Sequence, residues 1–257
     1  MKVLIVGSGG REHAIAWSVS QSKKVDKIYC APGNGGISQI AECVDIAAME
    51  FDKLADFAEK NEIDLTIIGM DDPLVGGIVD VFEERGLRVF GPRKNAAIIE
   101  GSKSFSKDLM KKYNIPTASY EVFTDASKAV EYLEKTSYPT VIKADGLALG
   151  KGVIIAQNFA EAKDAVKSIM EDKVFGKSGN EIVVEEFLEG PEVSVLAFTD
   201  GNVVVPMVSS MDHKRAKDND EGLNTGGMGT IAPNPYYTKK IADECYGKIF
   251  VPTIEAM

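Results

Sequence analysis

The chain opens on Val3-Leu4-Ile5-Val6, an unbroken apolar run, and passes at once into Gly7-Ser8-Gly9-Gly10 and an amphipathic stretch. A strand without alternation is one buried on both faces, which ties it to a parallel sheet covered by helices. The same rhythm returns along the first hundred residues. Residues 11–20 suit a helix, with Ala14, Ile15, Trp17 and Ser18 toward its inner side. Residues 27–31 suit a strand, stopped by Pro32-Gly33-Asn34-Gly35-Gly36. Residues 51–60 place Phe51, Leu54, Ala55 and Ala58 on one helical face, 65–68 is apolar again, 75–84 helical and 88–90 extended. Strand, helix, strand, repeated, predicts a parallel sheet with helices on both sides, and ligands in such sheets lie beyond the carboxyl ends of the strands. Those ends are residues 7–11, 32–36 and 69–73.

Past residue 100 the spacing changes. Residues 102–113 and 126–134 suit helices, and 120–123 is extended. Strands then follow closely at 140–144, 152–156, 182–186, 192–198 and 203–206, interrupted by one helix at 160–171. Close-spaced strands favour hairpins and an antiparallel sheet. Two domains are expected, 1–101 and 102–257, with no internal repeat.

Charge narrows the partners. Twenty-nine basic against 39 acidic residues leave a net charge of −10, which repels polyphosphate at long range and disfavours nucleic acid or an anionic membrane as partner. A local basic patch can still hold one small anion. No apolar stretch approaches the length of a spanning helix, and the N-terminal run is too short for a signal peptide, so a cytoplasmic location is expected. Cys30, Cys43 and Cys245 are odd in number and widely spaced, against a disulfide framework. His13 and His213 are the two histidines, too few for a three-histidine zinc site.

Two glycine loops invite familiar readings and fail them. Gly7-Ser8-Gly9-Gly10-Arg11-Glu12 follows a strand and opens a helix, but a dinucleotide fingerprint needs Gly or Ala where Glu12 stands. The amides of Gly9 and Gly10 still suit a phosphate monoester with Arg11 as counter-charge, or the glycines serve only a tight turn. The run 143–152, Lys-Ala-Asp-Gly-Leu-Ala-Leu-Gly-Lys-Gly, has neither Walker spacing nor a following helix. Its glycine amides can close over a triphosphate between Lys143 and Lys151, or it is a plain hairpin with solvated lysines. Glu185-Glu186-Phe187-Leu188 ends an apolar strand where backbone groups can read an adenine, or where acids are merely solvated.

Taken together, the runs 7–13, 31–36, 100–103, 142–148, 212–215 and 224–229 closely resemble those of the phosphoribosylamine–glycine ligases of the ATP-grasp superfamily, in order and over the whole chain. The resemblance implies an α/β fold: an N-terminal parallel-sheet domain of the pre-ATP-grasp, Rossmann-like kind, then an α+β ATP-grasp domain with a lid subdomain over about 119–190. It implies that ATP phosphorylates the carboxylate of glycine and that 5-phosphoribosylamine attacks the acyl phosphate, in purine synthesis. Such chemistry asks for neutralised phosphoryl charge and for exclusion of water. Carried over by position, Lys103 and Lys143 meet phosphate, and Gly146, Leu147, Gly150, Lys151 and Gly152 form the lid. Glu185, Glu186 and Leu188 read adenine, and Glu192 holds the ribose. Asp212, Lys214, Asn224, Thr225, Gly226 and Gly227 face glycine and the ribosylamine, Gly9, Gly10 and Arg11 hold the sugar phosphate, and Asn34 is a further substrate-binding residue. Lys143 and Lys214 are the candidate catalytic residues; His213 and Met228 receive no role.

The chain departs from the family at Gly69-Met70-Asp71-Asp72-Pro73-Leu74, where Met70 replaces a proline and Asp71 a glutamate. The family pattern also continues past the position of Met257, through a stretch bearing Glu and Asn ligands for Mg2+ or Mn2+. No metal ligand is therefore expected among these residues, and little turnover from them alone; a non-catalytic nucleotide-binding protein and another ATP-grasp purine enzyme are the alternatives.

Overall fold

The computed structural model describes residues 1–147 and 152–257; Gly150 and Lys151 lie outside the described residues. The chain divides into two contiguous units, Met1–Gly101 and Ser102–Met257.

In the first unit β1 (Lys2–Gly7) is the central strand. It pairs in parallel with β2 (Lys27–Pro32) on one side and β4 (Leu65–Ile68) on the other, Val3 facing Ile28 and Leu65. The outer strands are β3 (Glu42–Cys43) and β5 (Val89–Phe90), giving the order β3-β2-β1-β4-β5. The absence of alternation in β1 follows from its two buried faces. Leu4 and Val6 pack with Leu54, Ala58 and Phe82, whereas Val3 and Ile5 pack with Ala16, Ile28 and Ile37. Helices α1 (Gly10–Ser20), α2 (Phe51–Lys60), α3 (Asp71–Gly76), α4 (Ile78–Glu84) and α5 (Lys94–Gly101) complete the unit. The α2 stripe is as expected, with Leu54, Ala55 and Ala58 buried.

Three local expectations are corrected. In α1 the buried residues are Glu12 and Ala16, while Ala14 and Ser18 are exposed and Trp17 is 60% exposed. The helix begins at Gly10, and the inward tether of Glu12 sets which side faces the sheet. The single helix expected over 75–84 is two, α3 and α4, because Gly77 adopts a left-handed φ of 100° that ends the first. Strand β3 and helix α5 had no counterpart in the sequence pattern; two residues of strand are too few to show alternation.

The second unit holds an antiparallel sheet of β6 (Tyr120–Phe123), β7 (Thr140–Ala144), β8 (Val153–Ala156) and β9 (Ile182–Glu186), in the order β6-β9-β7-β8. Its two faces differ. Ile142, Ala144, Ala156, Ile182 and Val184 pack beneath α7 (Ala126–Leu133) and α8 (Phe159–Val166), whose Ala129, Leu133, Ala162 and Val166 complete that core. The alternate residues, Val141, Lys143, Val183 and Glu185, share the opposite face. Part of that face lies against α6 (Lys103–Lys112).

The helix expected at 160–171 is α8 continued by a wide turn over Lys167–Glu171. The strand expected at 192–198 is confined to β10 (Ala197–Thr199), paired with β11 (Val204–Pro206), with one bridge between Ser194 and Ser210. Four short strands follow as two pairs. β12 (Met211–Asp212) pairs with β15 (Thr230–Ile231), and β13 (Arg215–Lys217) with β14 (Glu221–Asn224). Helix α9 (Lys239–Cys245) runs through a wide turn into α10 (Val251–Ala256). No described helix is long and apolar enough to cross a membrane.

Candidate active site

In the first unit the carboxyl ends of β1, β2 and β4 are tied together by three side chains. Glu12 is 3% exposed; its carboxylate accepts the Gly9 N–H at 2.6 Å. A Cβ placed on Gly69 would lie 2.5 Å from Glu12 Oε1, so this side chain fills the space between the ends of β1 and β4. That is the physical reason the dinucleotide fingerprint fails, because a carboxylate stands where a phosphate would approach. Arg11 Nη1 donates to the Gly69 carbonyl at 2.9 Å and to Asp71 Oδ1 at 3.3 Å. Asn34 joins the first two ends: its amide donates to the Ser8 carbonyl at 2.8 Å, and its Oδ1 accepts from Gly36 and Ile37.

The Gly9 amide is already engaged by Glu12, so a phosphate at this turn competes with a carboxylate for it. Gly10 opens the helix with open space around its Cβ position, and the half-exposed Arg11 guanidinium stands next to it. Asn34 acts on the loops themselves. Asp71, the shortened departure from the family pattern, is the partner of Arg11. Cys30 is buried beside Gly7, and that burial pushes its thiol up to about 12.

The second unit gathers the remaining chemistry. Lys143 on β7 and Glu185 on β9 share a face because Val141 pairs with Glu185 and Lys143 with Val183. Glu185 is 5% exposed, and its two oxygens contact different lysines, Lys143 through Oε1 and Lys107 through Oε2. Lys107 stands on α6 four residues after Lys103 and also donates to Thr117 Oγ1 at 2.7 Å. Beneath it Tyr120 gives its hydroxyl to Asp108 at 2.7 Å, and burial, then that bond, push the phenol up to about 12.

Lys103 Nζ donates to the Gly146 carbonyl at 2.7 Å. Asp145 fastens the same loop to the start of α6, accepting from the Ser104 amide at 3.0 Å, while its own amide donates to the Glu181 carbonyl. Gly146 has a φ of 101°, a conformation that side chains rarely adopt. Lys103, Lys143, Gly146, Leu147 and Gly152 therefore belong to one neighbourhood. The assignments of Gly150 and Lys151 fall outside the described residues.

Glu185 and Glu186 point to opposite faces. Glu186 accepts from the amide and hydroxyl of Ser119, on the side of α7, so its side chain cannot meet a ligand lying over Lys143. A cavity of about 880 Å³ opens on that helix side, lined by Tyr132, Tyr138, Thr140, Glu186 and Phe187 among others. Leu188 is 64% exposed.

Farther along, Glu192 and Lys214 form an ion pair at 2.5 Å. Residues 212–215 and 224–229 are brought side by side. The His213 amide donates to the Gly229 carbonyl at 2.9 Å, the Thr225 amide to the Lys214 carbonyl at 2.7 Å, and the Met228 amide to the His213 carbonyl at 2.7 Å. Gly227 lies against Asp212, whose Oδ1 would be 2.8 Å from an added Cβ, and the Gly227 amide donates to Thr225 Oγ1. Gly226 lies in the same turn, and the backbone of Asn224, which ends β14, pairs with Arg215.

Sequence reasoning missed Lys107 and Glu12. The first was signalled by the 103, 107, 111 lysine spacing, one helical face, and the second by its misfit in the fingerprint. Among the described residues no group of three or more His, Cys, Asp or Glu is disposed to hold a metal ion.

Comparison with known proteins agrees over the full chain. Residues 1–100 match the family model of the phosphoribosylglycinamide synthetase N domain, and residues 101–257 that of its ATP-grasp (A) domain. A phosphoribosylamine–glycine ligase of Fusobacterium nucleatum is 54% identical over 257 residues, covering 100% of this chain and 60% of the relative. The crystal structure of phosphoribosylamine–glycine ligase from Thermotoga maritima superimposes with a TM-score of 0.83 at 34% identity, covering 100% of this chain and 61% of that one. A biotin carboxylase–beta-gamma-ATP complex from Campylobacter jejuni shares the fold, with a TM-score of 0.77 at 15% identity, over 99% of this chain and 59% of that one. The chain spans about 60% of the length of the curated relatives it matches.

Proposed function

Because the chain belongs to the phosphoribosylglycinamide synthetase family, we propose that it binds ATP on the charged face of its second unit. There it serves the joining of glycine to 5-phosphoribosylamine, a step of purine synthesis. In that reaction a glycine carboxylate oxygen attacks the γ-phosphorus and ADP leaves. The amine nitrogen of the ribosylamine then attacks the carbonyl carbon and gives up a proton, and phosphate leaves as glycinamide ribonucleotide forms.

The observation that carries this reading is the cluster Lys143–Glu185–Lys107 on one side of a sheet whose other side is apolar core. An ammonium at Lys143 and another at Lys103, beside the Gly146 turn, suit the charge of a triphosphate. Val141 on β7 and Ile155, its partner on β8, offer apolar contact to a purine ring on the same face. The turn that joins residues 212–215 to 224–229 suits the small substrates, with Lys214 free to act on them once it releases Glu192. Gly10 and Arg11 suit the sugar phosphate.

Calorimetric titration with ATP tests the assignment. Lys143→Ala is expected to weaken binding by about 1–3 kcal/mol, the scale of a lost charge-assisted contact. An unchanged affinity would move the nucleotide elsewhere. Phosphate release with glycine and phosphoribosylamine present, measured on the same chain, reads whether ligation accompanies nucleotide binding.

A further inference from the structure

The cluster around Glu185 holds one more cation than it needs. Glu185 is 5% exposed, and each of its oxygens has its own lysine. The Lys107 side chain is 11% exposed and that of Lys143 29%. Lys107 is fixed by more than the carboxylate, since its ammonium donates to Thr117 Oγ1 at 2.7 Å and to the Ala118 carbonyl at 3.5 Å. It also stands 5.6 Å from the centre of the Tyr120 ring. Lys143 reaches the same carboxylate from β7, three residues before the Gly146 turn.

A buried carboxylate left without a partner is strongly disfavoured. If Lys143 alone paired with Glu185, turning it toward a phosphate would strand that charge, and the pair would offer a ligand no net charge. With two ammoniums on one carboxylate, Lys143 can leave while Glu185 stays satisfied, and one positive charge remains for the ligand. We propose that Lys107 is a positioning residue for nucleotide binding, holding Glu185 so that Lys143 is released to the phosphates. The inference rests on the nucleotide reading above and adds to it a residue with no ligand contact of its own.

The test compares ATP with adenosine, which shares the base and ribose and lacks the phosphates, by titrating each into the 257-residue chain and its variants. Lys107→Met is expected to weaken ATP by about tenfold or more and adenosine by less than about threefold. Adding Glu185→Gln to Lys107→Met removes the stranded charge and should close the gap between ATP and adenosine, so that the two affinities change by factors within about threefold of each other. Lys107→Arg should keep the ATP affinity. Equal losses for ATP and adenosine in Lys107→Met, no loss at all, or a double variant that still loses about tenfold more for ATP than for adenosine would each overturn the proposal. If Lys107→Met does not fold, the double variant decides, and a loss about tenfold greater for ATP than for adenosine in that variant overturns it. Failure of the unsubstituted chain to bind ATP is a different result: it removes the nucleotide reading and this inference with it.

Discussion

Glu12, Asn34 and Cys30 show how much of the first unit's ligand-facing end is governed by single side chains. Glu12 and Asn34 satisfy amides of glycine-rich turns that would otherwise face water or a ligand. Cys30 sits against the Gly7 carbonyl at 3.4 Å with no solvent exposure. Burial raises its thiol from the ordinary 9.0 to about 12. Above pH 9 the unfolded chain therefore releases a proton that the folded chain keeps, and stability falls as pH rises toward 12. The slope from this one group approaches about 1.4 kcal/mol per pH unit. Urea unfolding of Cys30→Ala between pH 8 and 10 should show a shallower decline than the unsubstituted chain; identical slopes would mean that Cys30 ionises freely in the fold. Little of this was legible beforehand. Glu12 stood out only as a misfit, because a motif test scores identities and says nothing of where a misfitting side chain goes.

Elements with a strong local apolar pattern were well foreshadowed, and features decided by single residues or by contacts with other elements were not. The α2 stripe and the strands at 65–68, 120–123, 140–144 and 182–186 follow from periodicity and apolar runs alone. The inner side of α1 did not, since a buried glutamate rather than the aromatic residue turns inward. Nor did the break at Gly77, where one glycine in the left-handed region outweighs a helical pattern on both sides. The site was legible as a set of motifs, yet which of Glu185 and Glu186 shares a face with Lys143 follows only from the pairing of β7 with β9. At this scale the helix side and the charged side of the second unit's sheet should respond independently. Asn158 caps α8, accepting from the Glu161 amide at 3.1 Å on the helix side. Asn158→Ala is expected to cost about 1 kcal/mol of stability with no change in ATP affinity. Thermal denaturation and titration of one preparation would check both, and a large loss of affinity would show that the faces communicate.

Across the molecule, exposed apolar side chains gather after residue 188. On β10–β11 the register partners Phe198 and Val205 are 52% and 56% exposed and share a face, with Leu196 and Met207 beside them. A patch of this kind favours association, and the net charge of −10 opposes it. Sedimentation should therefore show concentration-dependent association that strengthens as pH falls toward the isoelectric point of about 4.9, and that Val205→Ser weakens. A monomer at every concentration and pH would mean the patch is inert. The strand Ile182–Glu186 carries a consequence for how such a gene can drift. Successive residues belong in turn to the oily interior and to the lysine cluster, so gaining or losing one codon would carry the glutamate into the core and a valine out to the ammoniums. Only codons added or removed in pairs spare both sides, which leaves point replacement as the route by which this stretch is free to diverge.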